Sequence, residues 1–160
     1  MAQGGQGPLL RPACSADHAA LIAILRETFR DTWAPQMRPE AIEHYDIETR
    51  SAGYVETSAA AFVVAELDGK IAGFIHWAGD FVHALHVSAT ARRSGVGRAL
   101  MEMAEREIRQ AGLGRVRLET DTFNGPSQAL YRALGYREID RYPDIEYDPD
   151  ITTVLLEKLL

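Results

Sequence analysis

Arg92-Arg93-Ser94-Gly95-Val96-Gly97-Arg98 places three guanidinium groups and two glycines within seven positions, just ahead of an apolar helical repeat. The first turn of a helix presents backbone N–H groups without intrahelical acceptors, at the positive end of its dipole. Glycine lets a backbone approach a ligand closely, and the arginines add charge. This segment is an anion site, and a pyrophosphate is the anion it suits. Two familiar phosphate loops do not fit. A P-loop ends in Gly-Lys-Ser/Thr, whereas Gly97 is followed by Arg98-Ala99. A dinucleotide turn needs a third glycine where Leu100 stands, and an acidic residue on the next parallel strand. Glu119 and Asp121 fall at or beyond the end of that strand. Glycines that merely tighten a strand-to-helix turn are the plain alternative.

Downstream, Asn124, Ser127 and Tyr131 stand at i, i+3 and i+7, on one face of a short helix. Tyr131 is either a packed aromatic or a proton donor. Upstream, His83 lies on the strand that leads into the loop, and an imidazole with a reference pKa of about 6.5 suits base work at neutral pH. His86 would point to the opposite face of a regular strand. His76, Glu119 and Asp121 are further proton acceptors, and a structural role is the plain alternative for each histidine.

These residues need elements to position them. Leu9 to Pro12 reads as a first strand, followed by a helix capped at Ser15 or Asp17 that carries Ala20, Leu21, Leu25 and Phe29. A second helix runs from about Pro39 to about Ser51. Ala61–Glu66 and Ile71–Trp77 read as strands joined at Asp68-Gly69, and a turn at Ala78-Gly79-Asp80 leads to a third, Phe81–Val87. Val96, Ala99, Leu100, Met103, Ala104 and Ile108 form the continuous apolar face of a long helix that ends at Gly112 and Gly114. Arg115–Thr120 alternates as a strand. A short helix follows from Pro126 to Gly135, with Leu130 and Leu134 on its core face, then closing strands at Tyr136–Ile139 and Thr152–Leu156. Strand, helix and strand between Phe81 and Thr120 demand a parallel pair inside an otherwise antiparallel sheet.

Arg92-Arg93-Ser94-Gly95-Val96-Gly97 resembles the coenzyme A signature Arg/Gln-x-x-Gly-x-Gly/Ala of the GCN5-related N-acetyltransferases. Asn124-Gly-Pro-Ser127-Gln-Ala-Leu-Tyr131-Arg-Ala-Leu-Gly135-Tyr136 is similar to that family's second hallmark. The resemblance runs from Leu9 to Leu156. It implies an α/β (α+β) fold with a mixed, mostly antiparallel sheet of about seven strands flanked by four helices, in one domain over residues 9–160. It also implies attack of a primary amine on the thioester of acetyl-CoA. The backbone of Leu85, His86 and Val87 would hold the pantetheine, and residues 92–98 with Asn124 and Ser127 the rest of the cofactor. Tyr131 would protonate the leaving thiolate. The placement of His83 resembles that of a histidine in the serotonin N-acetyltransferase branch, which makes it the base, with Glu119, reached through water, as the alternative.

The acceptor is read from the first third of the chain. Phe29, Asp31, Trp33, Glu40, Glu43, His44 and Tyr45 mix aromatic and acidic groups, a lining that suits a cationic amine, although a solvated helix face would show the same pattern. Glu27-Thr-Phe-Arg-Asp-Thr-Trp33 and Thr152-Thr-Val-Leu-Leu-Glu-Lys158 resemble bacterial polyamine-type acetyltransferases. A protein amino terminus or lysine, an antibiotic and an amino acid remain open as acceptors, as does a CoA-binding sensor without turnover.

Composition bounds the rest. The 160 residues carry 17 basic and 23 acidic side chains, net −6, which argues against a general nucleic-acid binder. A lone cysteine, Cys14, excludes a disulfide framework and a cysteine-based zinc cluster, so no metal is expected and a reducing cytoplasm is the natural compartment. No apolar run suits a bilayer span, no signal peptide is evident, and residues 1–8 read as a flexible tail. A homodimer is compatible with the chain.

Overall fold

Phe62 and Val64 pack on one side of their strand and Val63 and Ala65 on the other, so both faces of that strand are covered. The computed structural model describes residues 6–160, and the strand belongs to a seven-stranded mixed sheet. Most of the tail expected at residues 1–8 thus lies outside the described residues. The strands are β1 (Leu9–Pro12), β2 (Phe62–Leu67), β3 (Lys70–Ala78), β4 (Phe81–Val87), β5 (Arg115–Asp121), β6 (Arg137–Pro143) and β7 (Thr152–Leu159). Their spatial order is β1-β2-β3-β4-β5-β7-β6, and only β4 and β5 run parallel.

On one face, α1 (His18–Thr28) and α3 (Ile47–Ser58) set Leu21, Leu25 and Val55 against Phe62 and Phe74. On the other lie α4 (Val96–Gln110), the crossover between β4 and β5, and α5 (Gly125–Ala133). The α4 stripe packs Val96, Leu100, Ala104 and Ile108 onto Ile75, Val116 and Leu118. Met101 completes it as a fully buried residue, while Met103 is only partly covered. Each large side chain removed from water here contributes about 1.5–3 kcal/mol.

The four expected helical segments are present, with one revision. The segment drawn as a single helix from Pro39 to Ser51 is divided by Asp46 into α2 (Pro39–Tyr45) and α3, and it runs on to Ser58. Asp46 adopts a left-handed conformation with φ 51°, and its carboxylate accepts the Thr49 N–H at 3.3 Å, capping α3. Beyond α1 the chain continues as a π-helical turn, Phe29–Trp33, a distortion that often marks a functional site.

The pairing of β3 with β4 is irregular at one place. His76 pairs with Ala84 but Trp77 with Val82, so His83 is an extra, bulged residue. Further along, β3 and β4 approach so closely at Gly73 that a Cβ there would lie 2.6 Å from the His86 carbonyl oxygen. Gly73→Ala should therefore force the two strands apart and destabilise the fold by about 1–3 kcal/mol. Thermal unfolding checks this, with the midpoint expected to fall by about 2–4 °C per kcal/mol; an unchanged midpoint contradicts the close approach.

Candidate active site

β5 is paired with β7 over all seven of its residues, Arg115 to Asp121, but with β4 only at Phe81↔Arg117 and Val82↔Leu118. Past Val82 the parallel strands separate, leaving the β5-facing edge of His83–Val87 without a strand partner. A cavity of about 230 Å³ occupies the gap, lined by Leu85 on one side, Glu119 and Asp121 on the other, and Asn124, Ser127 and Tyr131 from α5.

β4 itself leads into the loop before α4. Arg93 and Gly95 take left-handed conformations, with φ 62° and 85°. The Ser94 hydroxyl donates to the Ala91 carbonyl, and the first backbone bond of α4 is Ala99 N–H to Gly95 O at 3.0 Å. Among the described residues, none of the seven N–H groups of residues 92–98 donates to a protein acceptor. Together they form an anion cradle at a helix start. The side chains differ from the residue-type reading. Val96 is core, 1% exposed, so only its backbone can reach a ligand. A Cβ on Gly97 would lie 3.2 Å from Leu130, so this glycine lets α4 pack closely near α5. Arg92 pairs with Asp31 at 3.7 Å and Arg98 with Glu102 at 3.4 Å, both half-exposed.

On α5, the Asn124 amide oxygen accepts the Ser127 N–H at 3.3 Å and caps the helix, while both residues line the cleft. Tyr131 is 6% exposed. Burial pushes its phenol well above the ordinary value near 10, so the hydroxyl remains protonated and available as a donor.

The bulge corrects the expectation that His83 and His86 face opposite ways. His83 lies 5.2 Å from the His76 ring, on the side of His86, and both residues line the cleft and a second cavity beside it. His86 Nδ1 is 2.8 Å from the Thr28 hydroxyl, which donates its own hydrogen to the Leu25 carbonyl at 3.2 Å. Thr28 then accepts from His86, which fixes the Nδ1–H tautomer and leaves Nε2 as an acceptor. Burial lowers the His86 pKa to about 4. His83 is exposed and forms no hydrogen bond among the described residues.

The acidic mouth expected from the first third of the chain is not there. Glu43 is exposed and lines neither cavity; Glu40 is 71% exposed beside Arg38, and Asp31 belongs to the anion loop through Arg92. Glu43 and Tyr45 stand two positions apart on α2, about 200° around the helix, so Tyr45 is buried while Glu43 stays outside. Phe29 and Trp33 do line the second cavity. Carboxylates come instead from β5 and from the loop between β6 and β7, a segment that residue patterns mark only as a connection. A signal was present there: the run Asp144-Ile-Glu-Tyr-Asp148 is acidic and aromatic in a loop between two strands. Asp144 is 7% exposed and accepts the N–H groups of Glu146, Tyr147 and Asp148, which folds this loop over both cavities.

Asp121 is 5% exposed and accepts the Trp33 indole N–H at 2.9 Å. Thr153 Oγ1 lies 3.2 Å from Asp121 and 3.0 Å from Asp144, but it has one hydrogen to give. Burial is the main cause that raises the Asp121 pKa, and the Asp144 charge adds to it. Glu119 accepts the Tyr142 hydroxyl at 2.7 Å on the cleft rim. No group of three or more His, Cys, Asp or Glu among the described residues could hold a metal ion, and no helix is long and apolar enough to cross a membrane.

The family model "Acetyltransferase (GNAT) family" matches residues 18–136, which include the anion loop, α5 and the β4 and β5 walls of the cleft. The chain belongs to the GNAT family of acetyltransferases. Its enzymatic class is accordingly N-acetyltransferase. The chain is 37% identical over 105 residues to an IAA acetyltransferase of Azospirillum brasilense, covering 62% of this chain and 67% of that one. It is 27% identical over 144 residues to an aminoglycoside N(6')-acetyltransferase type 1 of Klebsiella aerogenes, covering 82% and 91%. A GCN5-related N-acetyltransferase structure from Rhodopseudomonas palustris shares the fold over 100% of both chains, with a TM-score of 0.76 and 19% identity. The PaiA N-acetyltransferase from Thermoplasma acidophilum, solved in complex with coenzyme A, shares it over 97% of this chain and 100% of that one, with a TM-score of 0.74 and 19% identity.

In this GNAT enzyme the state of His86 is open to direct measurement. Long-range ¹H–¹⁵N spectra should show His86 neutral and protonated on Nδ1 at pH 7, titrating only near pH 4. Because its folded pKa lies below the unfolded value of about 6.5, the unfolded chain binds more protons between those limits, and stability falls as pH drops from 6.5 towards 4. A midpoint near 6.5 contradicts the desolvation of the His86 ring.

Proposed function

We propose that the chain transfers the acetyl group of acetyl-CoA to the primary amine of a small acceptor by direct attack on the thioester. The observation that carries this reading is the continuity of the open β4 edge with the seven free N–H groups of residues 92–98. The N–H run and the arginines beside it fit a pyrophosphate. The edge at Leu85 and Val87 fits an amide-bearing arm that adds itself as a strand, with Asn124 and Ser127 across the gap. Bound there, acetyl-CoA supplies an activated acyl group.

The protein's own groups then manage protons. An alkylammonium of pKa about 10 costs roughly 4 kcal/mol to deprotonate at pH 7. His83, turned by the bulge to the junction of the two cavities, takes the ammonium proton and passes it to solvent. Glu119 on the opposite rim is the second acceptor, through water. Both Asp121 oxygens are engaged, by Trp33 and Thr153, so Asp121 positions the indole. As the C–N bond forms and the C–S bond breaks, Tyr131 delivers its phenolic proton to the departing thiolate and recovers one from the amide nitrogen through water. The first cavity opens directly into the second, which leaves room for an amine approaching the thioester from the side of His83.

Tyr131→Phe should lower kcat by about ten- to ten-thousand-fold while the affinity for acetyl-CoA changes little. Stopped-time thiol release and calorimetry measure the two quantities; full kcat in the variant removes Tyr131 from the reaction. His83→Gln should abolish the rising limb of kcat/KM with pH, and persistence of that limb transfers the role to Glu119.

A further inference from the structure

The second cavity, about 470 Å³, is used by the proposed reaction only at its inner end. Its wall is a packed group of aromatic rings. Trp33 and Tyr147 stack at 5.2 Å between centroids, Tyr147 and Tyr45 lie 4.8 Å apart, and Tyr45 stacks on Phe29 at 4.9 Å. Two opposite charges line this cavity, both beside Tyr45. Where the cavities join stands Glu146, which accepts the Tyr45 hydroxyl at 3.4 Å. The exposed Arg50 places its guanidinium 4.6 Å from the Tyr45 ring centroid and donates from Nε to the Tyr45 carbonyl at 2.6 Å. Arg50 forms no ion pair among the described residues, so its remaining N–H groups stay available.

An acceptor that fills this space meets a carboxylate where the cavities join, aromatic rings along the wall and a cation at Arg50. An ammonium suits the first and a planar ring suits the second. A second ammonium beside Arg50 would be repelled, whereas a neutral or anionic group would not. We propose that the acceptor is a primary amine carried on an aromatic ring, the ring lying along Trp33, Tyr147 and Tyr45 and a neutral or anionic far end meeting Arg50. This rests on the acetyl-transfer reading and narrows it. It also replaces the polyamine-like acceptor expected from the first third of the chain, since a linear polyamine presents no ring to the wall and a second charge to Arg50.

The test is acetyl-CoA-dependent thiol release with four amines: 2-phenylethylamine, 4-(2-aminoethyl)benzoate, hexylamine and 1,4-diaminobutane. The two aryl amines should exceed hexylamine in kcat/KM by about tenfold or more, and 1,4-diaminobutane by about a hundredfold or more. The benzoate should lead 2-phenylethylamine, and Arg50→Gln, a change at an exposed position, should erase that lead. Tyr147→Leu should shrink the advantage of the aryl amines over hexylamine. Aliphatic amines acetylated as well as or better than the aryl pair would overturn this inference and leave acetyl transfer standing. Absence of thiol release with every amine, from protein that binds coenzyme A in calorimetry, would overturn both.

Discussion

Two parallel strands that separate part-way along their length leave facing backbone edges without strand partners. β5 gives its whole length to β7, while β4 gives most of its length to β3, and the two meet only at Phe81 and Val82. The gap opens where these parallel strands part, past Val82. Backbone polar groups along such an edge need partners, and water or an extended ligand must supply them. The bulge at His83 adds to the same effect by turning one more side chain into the opening.

The crossover helix answers the gap from one end. Because a parallel pair requires a connection over the sheet face, α4 begins just beyond the end of β4, with its unsatisfied N–H groups gathered there. The other end is closed by the loop between β6 and β7. One buried carboxylate, Asp144, holds that loop through three backbone N–H groups and shares Thr153 with Asp121. Asp121 in turn holds the Trp33 indole. Cleft, acceptor cavity and aromatic wall thus hang on one chain of hydrogen bonds, and a charge left unpaired anywhere along it would be costly in so dry a setting.

Much of this was legible from residues. The apolar repeat of α4, the hairpin at Asp68-Gly69 and the α5 block from Asn124 to Tyr136 are local signals, and each element lies within a few residues of its expected bounds. The family resemblance rested on those same blocks. What could not be read was set by contacts far apart in the chain. A bulge changes no residue type, so nothing in Phe81–Val87 says that His83 shares a side with His86. The break at Asp46 depends on one residue in a left-handed conformation, which divides what reads as a single helix into α2 and α3. Asp144, Glu146 and Tyr147 sit in a loop without periodicity, about sixty residues beyond the histidines they face.

The central claim is that the open β4 edge and the N–H groups of residues 92–98 together receive coenzyme A. Titration of ¹⁵N-labelled protein with coenzyme A, followed by amide chemical shifts, tests it without reference to turnover. The largest changes should fall on the amides of residues 92–98 and on those of β4 beyond Val82, with smaller ones at Asn124 and Ser127. Shifts confined to other surfaces, or none at saturating coenzyme A, would contradict the account.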